Sequence, residues 1–168
     1  MSRVPAGEIT SYDPPGENPN PPRLLLAVGH PAAVADAMLD FFRTLVNGAV
    51  DARTRKLATL AVAAELKNGY EWGHHAESAL RLGITADEVA AIKSGVRGVL
   101  SDQDQSLVDY VVAVERRSVT DDLWRALAAR HAVDELVQLT VIGGYYGMLA
   151  RIQDALAVDQ DRGFAGAF

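Results

Sequence analysis

Residues 51–65 read Asp-Ala-Arg-Thr-Arg-Lys-Leu-Ala-Thr-Leu-Ala-Val-Ala-Ala-Glu, and this stretch decides the fold. Asp51 is a residue type that caps helix N-termini, because its carboxylate accepts backbone N–H groups that have no partner in the first turn. Behind it, Leu57, Leu60, Ala61 and Ala64 recur at helical spacing and form a narrow stripe of small side chains. Small residues let neighbouring helices approach closely, so this helix is expected at the centre of a helical bundle.

The same grammar continues on both sides. A helix predicted over 69–82 ends at Gly83, and Thr85-Ala-Asp-Glu88 follows as a capping box for the next one. Ser101 and Thr120 cap two more, and a final helix is expected from about Asp134 to Val158. Upstream, Pro22 to Val28 reads as a short helix, and Pro31 opens another that runs to Val46. All seven prolines lie at or before Pro31, so nothing downstream interrupts helices. No strand pattern of convincing length appears. The expected fold is all-α: a single-domain bundle of about seven or eight helices spanning 23–158, with an extended proline-rich arm over 1–22 and a tail over 159–168. Two readings of the arm stand open, a disordered segment and a strap across a neighbouring subunit, with disorder the default.

Residues 136–150 carry no charge and are apolar nearly all round, which calls for burial on most sides. A chain of this size seldom buries its last helix so fully alone, so a homo-oligomer is expected. Fifteen residues are too few to span a bilayer. A net charge of −6 argues against nucleic-acid binding, and no apolar leader opens the chain, so a soluble cytoplasmic protein without membrane partners is expected. There is no cysteine, which removes disulfides, zinc–thiolate sites and thiol nucleophiles.

The densest polar cluster is Asn68-Gly-Tyr70-Glu71-Trp72-Gly-His74-His75. Glu71 and His75 stand four apart on one helix face, where a carboxylate orients an imidazole and favours its charged form. That pair suits acid/base catalysis, and Tyr70 and Trp72 imply that part of the face is buried. The competing reading is an ordinary surface helix pair. Glu71 and His74 have the i,i+3 spacing of half a di-iron site, but no second such pair exists, so no metal is expected. Gly143, Gly144 and Gly147 sit inside the last helix at a cost of roughly 1 kcal/mol each. They imply a close approach there, by another helix or by a ligand, with helix packing the default, and of Tyr145 and Tyr146 at most one is expected to line the site beside His75.

In order and spacing, Asp51-Ala-Arg-Thr-Arg55-Lys-Leu57, Tyr70-Glu71-Trp72-x-x-His75, Gly83-Ile-Thr85-x-x-Glu88 and Ile142-Gly-Gly-Tyr145-Tyr146-Gly-Met148 resemble the carboxymuconolactone decarboxylase family. The resemblance implies an alkylhydroperoxidase D-like fold and trimers or hexamers formed through helices. In the thiol-peroxidase branch two cysteines and a glutamate carry the redox chemistry; Asn68, Glu71 and Lys56 stand at those positions here. The decarboxylase branch implies a cofactor-independent reaction on a small carboxylated unsaturated lactone, with His75 moving a proton and Glu71 holding it. It also implies that Arg55 attracts a substrate carboxylate. Tyr70, Trp72, His74 and Tyr145 complete the expected substrate-binding set. Whether His75 acts as acid or base stays open, as does a non-catalytic ligand-binding role for the same fold.

Overall fold

The Asp51 carboxylate accepts the backbone N–H groups of Arg53 and Thr54 at 2.9 and 3.1 Å, and the chain turns helical from the next residue. In the computed structural model, which describes residues 2–13, 20–161 and 163, that helix is the third of eight. They are α1 (Arg23–Val28), α2 (Ala32–Val46), α3 (Ala52–Glu65), α4 (Gly69–Arg81), α5 (Ala86–Ser94), α6 (Asp102–Glu115), α7 (Asp121–Ala128) and α8 (Val133–Leu156). No strand occurs among the described residues.

Helix α3 is central, as its small-residue stripe requires. Every residue from Leu57 to Ala63 is buried, and α4, α5, α6 and α8 surround it. Thr85 and Glu88 form the expected capping box, and Ser101 and Thr120 cap α6 and α7 through the N–H groups of Asp104 and Leu123. Gly83 takes φ +78°, a conformation open to glycine at little cost, and turns the chain out of α4.

The glycines of α8 separate by role. A Cβ at Gly143 would press on Val114 of α6 at 3.3 Å, and one at Gly147 would run into Glu115, whereas Gly144 meets nothing. Close packing on α6 therefore accounts for two of the three. The neighbouring face of α8, which carries Gly144, leaves Val133, Val137 and Met148 uncovered, at 73%, 54% and 39% exposure.

Residues 2–13 lie along the chain's own helices. Arg3 N–H donates to the Leu156 carbonyl, Gly7 N–H to Leu26 and Glu8 N–H to Gly29. Asp36 then accepts the N–H and hydroxyl groups of both Thr10 and Ser11. These contacts replace the disorder expected for this stretch. The part of the arm holding Pro14, Pro15 and Pro19 lies outside the described residues, as does most of the expected tail. Where the arm crosses the α1–α2 turn, a Cβ on Gly29 would stand 2.4 Å from the Glu8 carbonyl oxygen, a backbone atom that cannot swing aside. Gly29→Ala is expected to displace residues 7–11 at a cost of about 1–3 kcal/mol. Amide exchange at Gly7 and Glu8 should accelerate; unchanged protection would contradict the crossing.

Candidate active site

Asn68 starts α4 by accepting the Glu71 N–H at 2.8 Å, which sets Glu71 in the first turn, where the helix dipole favours a carboxylate. One turn later His75 falls on the same face, with its Nε2 3.3 Å from Glu71 Oε2. Glu71 is 4% exposed, so the pair is not a surface pair. The other carboxylate oxygen, Oε1, accepts from the amide of Gln153 on α8, which is also buried. On its far side, His75 Nδ1 lies 2.6 Å from the Lys56 ammonium of α3.

Burial is the main influence on these groups. It pushes the His75 imidazolium down, opposed by the Glu71 hydrogen bond and reinforced by the nearby charge of Lys56. Burial also brings Lys56 down to about 8, helped by the like charge of Arg55 and opposed by Glu71. Tyr145 is pushed up to about 12 by burial and then by the Glu71 charge.

The pair lies at an open cavity of about 330 Å³ lined by residues of α1, α2, α4 and α8. Leu24, Leu25, Met38, Leu39, Phe42 and Leu149 make most of its wall apolar, and Tyr12, Asp13 and Arg43 also line it. A larger cleft of about 520 Å³ between α3, α5 and α6 holds none of the candidate residues. Its charged lining includes two Arg–carboxylate pairs, Arg116–Glu65 and Arg97–Asp109, together with Lys67 and Lys93.

Of the residues expected at the site, His75, Glu71, Tyr70, His74 and Tyr145 line this cavity together. Arg55 and Trp72 do not. The Arg55 guanidinium donates to the carbonyls of Val46 and Val50, both at 3.1 Å, and so braces the α2–α3 turn. Trp72 is packed in the core, with the Lys93 ammonium 5.7 Å from its ring centre. The expectation that only one of Tyr145 and Tyr146 lines the site is corrected: both do. The cavity wraps far enough round α8 to meet neighbouring positions, and Tyr146 sets its edge against the His75 ring at 5.4 Å. His74 turns away from Glu71 to Asp161, whose carboxylate also accepts the Tyr70 hydroxyl at 2.6 Å. Burial works against the Asp161 charge, but the His74 and Tyr70 hydrogen bonds outweigh it and hold the carboxyl below its ordinary range.

Lys56, Gln153, Asp161 and Arg43 were not read as site residues. Three of them come from α2, α8 and the segment after α8, far from α4 in sequence. Only Lys56 left a signal, as a charge beside Arg55 at the edge of an apolar run.

Residues 32–95 match the sequence profile of the carboxymuconolactone decarboxylase family. That span runs from α2 through α5 and includes Lys56, Glu71 and His75. Over that span the chain is similar to the carboxymuconolactone decarboxylase family, and its fold is alkylhydroperoxidase D-like. No curated protein matches it by sequence. Among solved structures, an uncharacterized peroxidase-related protein from Silicibacter sp. TM1040 superposes with a TM-score of 0.77 at 15% identity, covering 97% of each chain. The debrominase Bmp8 in complex with 2,3,4-tribromopyrrole gives 0.73 at 14% identity, over 84% of this chain and 78% of that one. The alkylhydroperoxidase AhpD core of a peroxidase-related protein from Ralstonia eutropha JMP134 gives 0.73 at 14%, over 84% and 77%. At these identities the likeness is one of fold. The chain has no cysteine, so no thiolate is available to it for peroxide chemistry.

Proposed function

We propose that this carboxymuconolactone decarboxylase-like protein is a cofactor-independent acid/base enzyme acting on a small unsaturated or lactone-type carboxylate. The reaction is decarboxylation or a related isomerisation or elimination, with His75 and Glu71 moving the proton. The observation that carries this reading is a buried carboxylate–imidazole pair facing an apolar cavity of small-molecule size. The wall is largely apolar and Glu71 is buried, so a charge that develops on a bound substrate is screened less there than in water. A conjugated carbonyl in the substrate takes the electron pair released when the bond to the leaving carboxylate breaks, and the pair then protonates the carbon. Arg43 lines the cavity while donating to Asp40 and to the Ser11 carbonyl, and takes the role of attracting a substrate carboxylate that Arg55 was expected to play, in exchange for one of those contacts. That the fold accommodates a small ring in the debrominase supports a cyclic substrate. The test is a screen of small unsaturated lactone carboxylates for CO₂ release by the purified chain, with no added metal or cofactor; release is expected.

One observation favours a second reading, a non-catalytic ligand-binding protein: both ring nitrogens of His75 are already engaged within the protein. That reading predicts binding without turnover, unchanged in His75→Ala.

We also propose a trimer or hexamer, assembled over the uncovered α8 face of Val133, Val137 and Met148. Light scattering is expected to give three or six copies, and Val137→Asp to lower that number. A wild-type monomer at moderate concentration would contradict the assembly. Among the described residues no helix is long and apolar enough to cross a membrane.

A further inference from the structure

Lys56 is the least expected neighbour of the site, a half-buried cation on the central helix. It precedes the seven buried residues Leu57–Ala63, and its ammonium reaches the far side of the imidazole that the acid/base reading uses. An ammonium can only donate, so the nitrogen it meets must accept. A neutral imidazole has one acceptor and one donor nitrogen. Accepting at Nδ1 therefore places the ring proton on Nε2, the atom 3.3 Å from Glu71 Oε2. The Gln153 amide donates to Glu71 Oε1 and holds the carboxylate from the α8 side. The hydrogen bonds thus run in one direction, from Lys56 through His75 to Glu71, and Glu71 lines the cavity.

We propose that Lys56 is the positioning residue and proton store of this site: it fixes His75 as the neutral Nε2–H tautomer and makes Glu71 the group that exchanges protons with substrate. This rests on the acid/base reading above.

The steps balance for a decarboxylation, which consumes one proton. The bond between carbon and the leaving carboxylate breaks, CO₂ departs, and the electron pair enters the conjugated carbonyl as an enolate. A proton passes from Lys56 Nζ to His75 Nδ1, another from Nε2 to Glu71 Oε2, and that one goes on to the substrate carbon. The site is left with a Lys56 amine, the other His75 tautomer and a Glu71 carboxylate. A solvent proton entering at Glu71 then drives the reverse transfers and restores the start. With Lys56 brought down to about 8, its ammonium is populated at neutral pH and still able to give up a proton.

The titratable groups that face this chain are few. They are Arg55 on α3, His74 and Arg81 on α4, and Tyr145 and Tyr146 on α8. The two tyrosines are held protonated by burial, and Lys56 lowers the His75 imidazolium directly.

The test is ¹⁵N NMR of the His75 ring in the intact protein without substrate. At pH 7 the wild type is expected to show an unprotonated Nδ1 and a protonated Nε2. In Lys56→Met, with the like charge gone and Glu71 still in place, the imidazole titration midpoint should rise by about one pH unit or more. Lys56→Arg, which keeps a cationic donor, should restore the wild-type pattern. A proton on Nδ1 in the wild type overturns the proposal even if no variant folds. An unchanged tautomer and midpoint in a folded Lys56→Met overturns it too. Because no turnover is measured, a failed substrate screen bears on the acid/base reading alone.

Discussion

Glu71→Gln is expected to lower turnover about 10²–10⁴-fold, the contribution of a well-placed proton-transfer group, while leaving the fold intact. Glutamine matches the carboxylate in size but has no negative charge to receive the His75 Nε2–H, and it presents an amide where Gln153 needs an acceptor. The transferable proton is lost along with the charge that orients the ring. His75→Ala should cost a similar factor by a different route, since it opens a gap between Lys56 and Glu71. The two losses should not add, because either one breaks the same proton path. Initial rates at saturating substrate, with circular dichroism as the check on folding, measure this. Full activity in both variants would remove the assignment.

Lys56→Met is expected to stabilise the protein at pH 7. Holding the ammonium in the bundle brings its pKa from 10.5 to about 8, equivalent to about 3 kcal/mol at roughly 1.4 kcal/mol per pH unit. Losing the donor to His75 Nδ1 gives back about 1 kcal/mol. The net gain of about 2 kcal/mol corresponds to a rise in Tm of about 4–8 °C for a chain of this length. The pH dependence has a definite sign. Below pH 8 both folded and unfolded chains bind the proton, and the wild type bears the whole penalty. Between about 8 and 10.5 the unfolded chain keeps a proton that the folded chain has released, so wild-type stability rises with pH and the advantage of the variant closes. Thermal melts across this window check it; a variant no more stable than wild type at pH 7 would contradict the burial argument. A charge that destabilises the bundle and touches the site is what a functional constraint looks like in energetic terms.

The difference between what was legible in the sequence and what was not follows contact range. Asp51, Thr85, Ser101 and Thr120 could be read as caps because each acts on an N–H two or three residues away. The Glu71–His75 pair was readable for the same reason, both members lying on one turn of one helix. Lys56, Gln153 and Asp161 reach α4 from 19, 82 and 91 positions away in the contacts they make with His75, Glu71 and Tyr70, and no local pattern encodes such meetings. Arg55 shows the converse. Its charge was visible, but the two carbonyls of the α2–α3 turn that hold it were not. Tyr146 escaped because helical periodicity separates adjacent residues by about 100°, while the cavity is wide enough around α8 to admit both tyrosines.

The segments flanking the bundle have a consequence for how proteins of this shape diverge. Tyr12 and Asp13 line the cavity, and Asp161 grips two residues that do, yet all three lie outside the span 32–95 that carries the family pattern. Part of the wall around the Glu71–His75 pair is thus written outside the span that carries the pair, while Met38, Leu39, Phe42 and Arg43 lie inside it. Lengthening, shortening or rewriting the ends would retune which molecules enter without disturbing the helices that hold the proton path, so relatives with the same core need not share a substrate.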